Sequence, residues 1–302
     1  MSNDEGIGSV KLIQIAATDF DLEKTLNSGQ VFHWENYGNA FVGTIAGSAV
    51  YAEQREDILK VRFGETPKPA RETRALSKIV ARYFALDHPL DEICASFPRD
   101  PVIHAARNFC RGLRIIRQPK WECLATFICS SMKQVKHIRQ ISRALRQRFG
   151  EKKEICGHEV FSFPSAERLA RTSESELRKC GLGYRAKNLL ATAKGVASGE
   201  TDLDSWSALS ERQLREQLCE LPGVGMKVAN CVMLFAYERI AAFPIDVWIE
   251  RILREKYFPR KRKVTGQMLA EFAANYFGVH GGYAQQYLFH HARMTGRRRG
   301  KG

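Results

Sequence analysis

Residues 214–253 read LREQLCELPGVGMKVANCVMLFAYERIAAFPIDVWIERIL, and this stretch decides how the rest of the chain is understood. It holds two apolar-periodic helices separated by Leu221-Pro222-Gly223-Val224-Gly225. So tight a hairpin needs glycines, because the backbone takes unusual dihedrals and passes close to a neighbour. Gly225 stands immediately before the second helix, where free backbone N–H groups can hold a phosphate. An ordinary helical hairpin without a ligand has the same pattern, so the turn alone does not choose a function.

Two ionisable residues flank this unit. Lys227 falls in the first turn of the second helix, beside Val228, Ala229, Val232 and Met233, which the spacing turns toward a core. A lysine at such an apolar edge can serve as a nucleophilic amine at neutral pH. In isolation it reads more readily as a solvated or phosphate-binding lysine. Asp246 follows in Phe243-Pro244-Ile245-Asp246-Val247-Trp248, where the proline stiffens the approach and the aspartate is placed to cap the next helix. Capping and catalysis can coexist in one carboxylate.

Working outward, the C-terminal side is helical. Ile138, Ile141, Leu145 and Phe149 share one helix face, with Gly150 as a stop. Ser173 with Glu176, and Ser210 with Gln213, have capping-box spacing. Toward the N-terminus the first sixty-odd residues read as strands. VFHWENYGNAFVGTI (31–45) holds two aromatic-rich runs around Tyr37-Gly38-Asn39, and ILKVRF (58–63) alternates apolar and polar. The prolines of ETPKPARET end this pattern. The order predicts an α+β protein: an N-terminal antiparallel β-sheet domain over residues 1–115, then a mostly α-helical region over 116–302. The helix-hairpin-helix falls at about 211–237 and a basic tail begins at about 296.

Composition narrows the class. Of the 302 residues 44% are hydrophobic and 26% charged, a globular balance that argues against disorder. The net charge of +14 favours a polyanionic partner, since each neutralised phosphate releases counterions. No apolar run approaches the roughly 18 residues of a membrane span, and MSNDEGIGSV lacks the pattern of a secretory signal. Eight scattered cysteines form no Cys-x-x-Cys pair, which predicts reduced thiols and an intracellular protein without a zinc or disulfide framework.

The hairpin, the lysine two residues beyond it and the Pro-x-Asp-Val turn together resemble the helix-hairpin-helix DNA glycosylases, in their lysine-bearing bifunctional form. Four further segments resemble the 8-oxoguanine DNA glycosylases in particular: Asn27-Ser28-Gly29-Gln30, Phe127-Ile128-Cys129-Ser130-Ser131, Gly183-Tyr184-Arg185-Ala186, and Gly282-Tyr283-Ala284-Gln285 with Phe289. They occur in family order over nearly the whole chain.

The resemblance implies an enzyme that flips a damaged nucleotide into a pocket. Lys227 would attack the sugar to give a Schiff base, β-elimination would nick the strand, and Asp246 would stabilise the developing positive charge. Gly29 would accept the N7–H of 8-oxoguanine through its carbonyl, Gln285 would read the Watson–Crick edge, and Cys231 and Phe289 would sandwich the ring. Ring-opened purines fall within the same expectation. Gly223, Val224 and Gly225 would bind the DNA backbone, while carbonyls of Cys219, Leu221 and Val224 would hold a structural cation. Met132, Lys133, Gln134, His137, Tyr184, Arg185 and Trp248 would meet DNA near the lesion. No cofactor is required, the partner is double-stranded DNA containing an oxidised purine, and the protein is expected to act as a monomer, at the nucleoid or in the nucleus.

Three positions depart from the family pattern. Met132 replaces an asparagine that fills the gap left by the flipped base, His137 replaces one of two arginines that contact the orphaned cytosine, and Trp248 replaces a histidine. Relaxed opposite-base preference is therefore expected. Among rivals, endonuclease III-like and adenine-excising enzymes carry a four-cysteine iron–sulfur cluster after the aspartate. Here the last cysteine is Cys231, before Asp246, so that cluster has no ligands. Alkylated-base glycosylases share the domain plan but typically lack the lysine. A non-catalytic helix-hairpin-helix module would have no use for Lys227, Asp246 and the remote pocket segments together.

Overall fold

The computed structural model describes residues 12–64, 70–131, 133–260 and 263–296. Met132 and the basic tail from 297, both named above, lie outside the described residues. Five antiparallel strands open the chain: β1 (Ile13–Ala16), β2 (Glu35–Tyr37), β3 (Ala40–Ile45), β4 (Ser48–Arg55) and β5 (Ile58–Phe63). They lie side by side in the order β1-β5-β4-β3-β2. Tyr37 pairs with Ala40 across the expected turn, and Val50 and Ala52 pair with Phe63 and Val61.

Strand alternation gives the sheet two apolar faces. Phe41, Ile45, Val50, Val61 and Phe63 pack with helices α1 (Leu22–Asn27) and α2 (Ala70–Tyr83) around Trp34 and Phe84. Helix α1 interrupts the region read as strands; it is six residues long, too short for periodicity to reveal. Asp21 caps it by accepting from the Lys24 N–H at 2.7 Å. On the other face, Val42 and Ala49 meet Ile155 and Val160 of a hairpin formed by β6 (Lys152–Ile155) and β7 (His158–Phe161). This hairpin lies within the region read as helical. Its two four-residue strands are stabilised by packing on the sheet, a contact distant in sequence.

The remaining helices are α3 (Leu90–Ala95), α4 (Pro101–Phe109), α5 (Lys120–Ser130), α6 (Val135–Phe149), α7 (Ala166–Ala170), α8 (Glu174–Leu177) and α9 (Arg185–Ser198). They continue as α10 (Glu211–Glu220), α11 (Met226–Ala236), α12 (Val247–Ile252), α13 (Gly266–Phe277) and α14 (Gly281–Gly296). Both expected capping boxes are present, at Ser173 and Ser210. Helix α5 is the axis of the helical part: Cys123 to Ser130 are all buried, with α6, α9 and α11 packed around it. A helix apolar on all sides is stable only when so enclosed. The larger core extends from Phe32 and Leu90 through α5 and α11 to Tyr287, and so spans both sides of residue 115. No helix among the described residues is long and apolar enough to cross a membrane.

Candidate active site

Two stripes of side chains four residues apart frame the site, all but Arg293 lining its recess. On α11 they are Lys227, Cys231 and Phe235; on α14 they are Gln285, Phe289 and Arg293. Residues at i, i+4 and i+8 stand one above another on a helix face, so each stripe presents three side chains in a row. Gly29 from the loop after α1, Phe127 from α5, and Pro244 and Asp246 before α12 complete a recess that Lys227, Cys231, Phe235, Gln285, Gln286 and Phe289 also line. Its volume is about 40 Å³. That is far below the roughly 300 Å³ where ligand pockets begin, so a purine enters only if the walls move.

The hairpin that carries Lys227 forms as expected. Helix α10 ends at Glu220, Val224 is buried, and Gly225 precedes the first residue of α11. Gly223 has φ +79, and a Cβ there would lie 2.5 Å from Asn188 Nδ2 on α9, so close approach excludes a side chain. The Val224 N–H donates to the Leu221 carbonyl at 3.1 Å. Lys227 is half-buried. Its Nζ donates to Ser130 Oγ at 3.4 Å and stands 5.2 Å from the centre of the Phe127 ring. Ser130 in turn donates to the Phe127 carbonyl at 2.7 Å.

Asp246 caps α12: its Oδ1 accepts from the backbone N–H groups of Trp248 at 3.1 Å and Ile249 at 2.9 Å. Burial raises its carboxyl above the ordinary range, opposed by the Ile249 N–H and by the charge of Lys227. Burial pushes the Cys231 thiol up to about 11 against the opposing charge of Lys227, so it walls the recess as a neutral group. Gln285 is 4% exposed, and its Oε1 has no hydrogen-bond partner among the described residues. A buried amide oxygen left unmatched costs stability and is the mark of a group held for something else.

Gly29 sits at φ +89, which a side chain disfavours, and a Cβ there would meet Arg293 Nη1 at 2.8 Å and Phe289 Cε1 at 3.1 Å. The loop is fixed by its neighbour Gln30, which is fully buried. Gln30 Oε1 accepts from the Ile116 N–H at 2.7 Å, its Nε2 donates to the Arg114 carbonyl at 2.8 Å, and Gln118 Nε2 donates to its carbonyl at 2.8 Å. This network ties the Gly29 loop to the segment leading into α5.

The other expected residues lie around this centre. Lys133, Gln134 and His137 are exposed at the start of α6, and Tyr184 is 57% exposed before α9. Arg185 is instead buried: its Nε donates to the Ser131 carbonyl at 2.8 Å, and its guanidinium lies 4.4 Å from the Tyr184 ring. Trp248 is half-buried, with the Arg251 guanidinium 5.7 Å from its ring. Cys219 is half-buried at the hairpin, its Sγ 3.9 Å from Met226 Sδ. Sequence reasoning gave no role to Phe235, Pro244 and Gln286 in the recess or to Arg293 behind it, and none to Phe127 and Ser130 although both stand in a segment quoted for the resemblance. Phe235 and Arg293 carried a signal, being the third members of the two stripes; Gln286 carried none beyond adjacency to Gln285.

Residues 12–124 match the 8-oxoguanine DNA glycosylase N-terminal domain, and residues 125–275 match the HhH-GPD superfamily base excision DNA repair protein family. The N-glycosylase/DNA lyase OGG1 of Arabidopsis thaliana is 32% identical over 293 residues, covering 92% of this chain and 78% of that protein. The structure of MBOgg1 in complex with a low-affinity DNA ligand superposes with a TM-score of 0.87 at 33% identity, over 97% of this chain and 98% of that one. The Clostridium acetobutylicum 8-oxoguanine glycosylase/lyase, in complex with double-stranded DNA containing cytosine opposite 8-oxoguanine, gives 0.85 at 27% identity, over 94% and 98%. Two adjoining family domains and similarity over nearly the full length leave one assignment: the chain belongs to the 8-oxoguanine DNA glycosylase family of the HhH-GPD base excision repair superfamily.

Proposed function

We propose that this chain is a bifunctional DNA glycosylase and lyase that turns 8-oxoguanine out of duplex DNA, releases the base and nicks the strand. The observation that carries this reading is the convergence of Lys227 and Asp246 on one recess with Gly29, Cys231, Gln285 and Phe289. Lys227 Nζ, as a neutral amine, attacks C1′ of the sugar while the C1′–N9 bond breaks and its electron pair leaves with the base. The proton released from nitrogen returns to the departing base. The Asp246 carboxylate faces the positive charge that develops on the sugar, and burial equips it to hold and return a proton. Opening of the sugar ring gives the Schiff base. Loss of a C2′ proton then expels the 3′ phosphate, which is the nick.

Within the recess the Gly29 carbonyl accepts the N7–H that guanine lacks, Gln285 reads the Watson–Crick edge, and Cys231 and Phe289 take the two faces of the ring. A ring-opened purine offers a comparable N–H. A base without that donor leaves a buried carbonyl facing an acceptor, which is the source of discrimination. The Gly223 and Gly225 N–H groups are offered to phosphate, that of Val224 being held by the Leu221 carbonyl, and Lys133, Gln134, His137, Tyr184 and Trp248 lie on the DNA side. The carbonyls of Cys219, Leu221 and Val224 supply oxygen donors suited to a hard structural cation.

Borohydride trapping on 8-oxoguanine duplex tests the reading. The wild-type chain is expected to give a covalent adduct, and Lys227→Gln is expected to bind the duplex without one. A wild-type chain that leaves no adduct would sink the Schiff-base mechanism.

A further inference from the structure

We infer that Arg293 is a specificity-determining residue of the base recess, a fixed positive charge that favours neutral, oxygen-bearing purines and disfavours cationic alkylated ones. The inference rests on the recess being the base site.

Arg293 is the third member of the α14 stripe, one turn beyond Phe289, and it is 6% exposed. Its guanidinium lies 5.4 Å from the centre of the Phe289 ring and donates to the Asn27 carbonyl through Nη2. Nη1 occupies the space in front of Gly29, 2.8 Å from where a Cβ would stand. Its helix neighbour His290, 3.5 Å from Nη2, is buried beside it. The cation therefore stands behind the Gly29 and Phe289 corner of the recess, in contact with two of the residues that line it.

Alkylation of a purine at N7 or N3 in DNA gives the base a formal positive charge, whereas oxidation at C8 leaves it neutral and adds a carbonyl oxygen. Beside a guanidinium held behind a water-poor recess the first is repelled, whereas the dipole of the added carbonyl oxygen is favoured by the same charge. This supplies selection between two lesion classes that one recess shape could otherwise admit.

The test is single-turnover release of 8-oxoguanine and of 7-methylguanine from matched duplexes by the wild type, Arg293→Gln and Arg293→Lys. The glutamine keeps a donor for the Asn27 carbonyl and removes the charge; nicking of a preformed abasic site and thermal melting report an intact fold. Arg293→Gln is expected to lose about tenfold on 8-oxoguanine and to release 7-methylguanine faster than the wild type, with nicking unchanged and Arg293→Lys close to the wild type. An Arg293→Gln chain with wild-type 8-oxoguanine release, or with no gain on 7-methylguanine, overturns the inference. So does an Arg293→Lys chain as impaired as Arg293→Gln. Loss of melting and nicking in Arg293→Gln passes the decision to Arg293→Lys, where a tenfold loss with intact nicking overturns it and wild-type release of both bases upholds it. A wild type that releases neither base would instead refute the proposed function.

Discussion

Lys227 Nζ lies 3.4 Å from Ser130 Oγ, joining the first turn of α11 to the last turn of α5. Ser130 is itself held by the Phe127 carbonyl, so the lysine reaches the recess from a hydroxyl whose own position is fixed. Removing that hydroxyl frees the amine without touching its charge. Ser130→Ala is expected to lower the single-turnover excision rate about two- to tenfold, the worth of one hydrogen bond, with the melting temperature nearly unchanged. A rate equal to the wild type would show that the contact does not position the nucleophile.

Asp246 combines a helix cap with a half-buried carboxyl whose pKa is raised above 3.8. In the folded chain the neutral form is favoured, so this group contributes stability that is full below 3.8 and lost as pH rises through its folded value. Activity needs the carboxylate and runs the opposite way, rising with pH through the same window. Asp246→Asn keeps a good cap and removes the partly desolvated charge. At neutral pH it is expected to melt at or above the wild-type temperature while excision falls roughly a hundredfold or more. A marked drop in melting temperature would count against this division.

Gly29 is required twice, by its positive φ and by the approach of Arg293 and Phe289. Gly29→Ala is expected to cost about 1–3 kcal/mol of stability and to abolish base release while abasic-site nicking persists. Differential melting and paired excision and nicking assays check it; an alanine variant with wild-type release would contradict the geometry.

Gln285 holds an amide oxygen with no partner in a buried place. Gln285→Leu replaces a poorly satisfied polar group by an apolar one of similar size. Its melting temperature should stay level or rise, while 8-oxoguanine release falls about tenfold. A variant that loses stability would mean that the amide serves the fold.

Opposite-base choice depends on residues outside the recess. Arg185 is committed to the Ser131 carbonyl and stacked with Tyr184, and His137 is an exposed histidine. Neither presents a free guanidinium to an orphaned base. Release of 8-oxoguanine opposite each of the four bases is expected to vary by no more than about tenfold, since discrimination by one good bidentate contact is absent. A strong preference for cytosine would refute this.

Much of the site was legible before any coordinate. The spacing of Leu221 to Gly225, Lys227 and Asp246 needs only local rules of turns and caps, and α10, α11 and the Asp246 cap follow from them. The helical stripe of Ile138, Ile141, Leu145 and Phe149 and the Tyr37–Ala40 turn are local in the same sense. The β6–β7 hairpin escaped because its strands are held by Val42 and Ala49 more than a hundred residues earlier. The convergence of Gly29, Lys227 and Gln285 was likewise invisible to spacing, being decided by how α5, α11 and α14 pack and by the Gln30 network across the chain. Arg293 shows the difference most plainly. The sequence by itself determined a lysine at a hairpin and a carboxylate at a cap, since each is set by bonds within a few residues. Only the tertiary structure decided that they share a recess, and that a third charge stands behind its Gly29 and Phe289 corner, because contact between distant helices is written in their packing rather than in any short stretch.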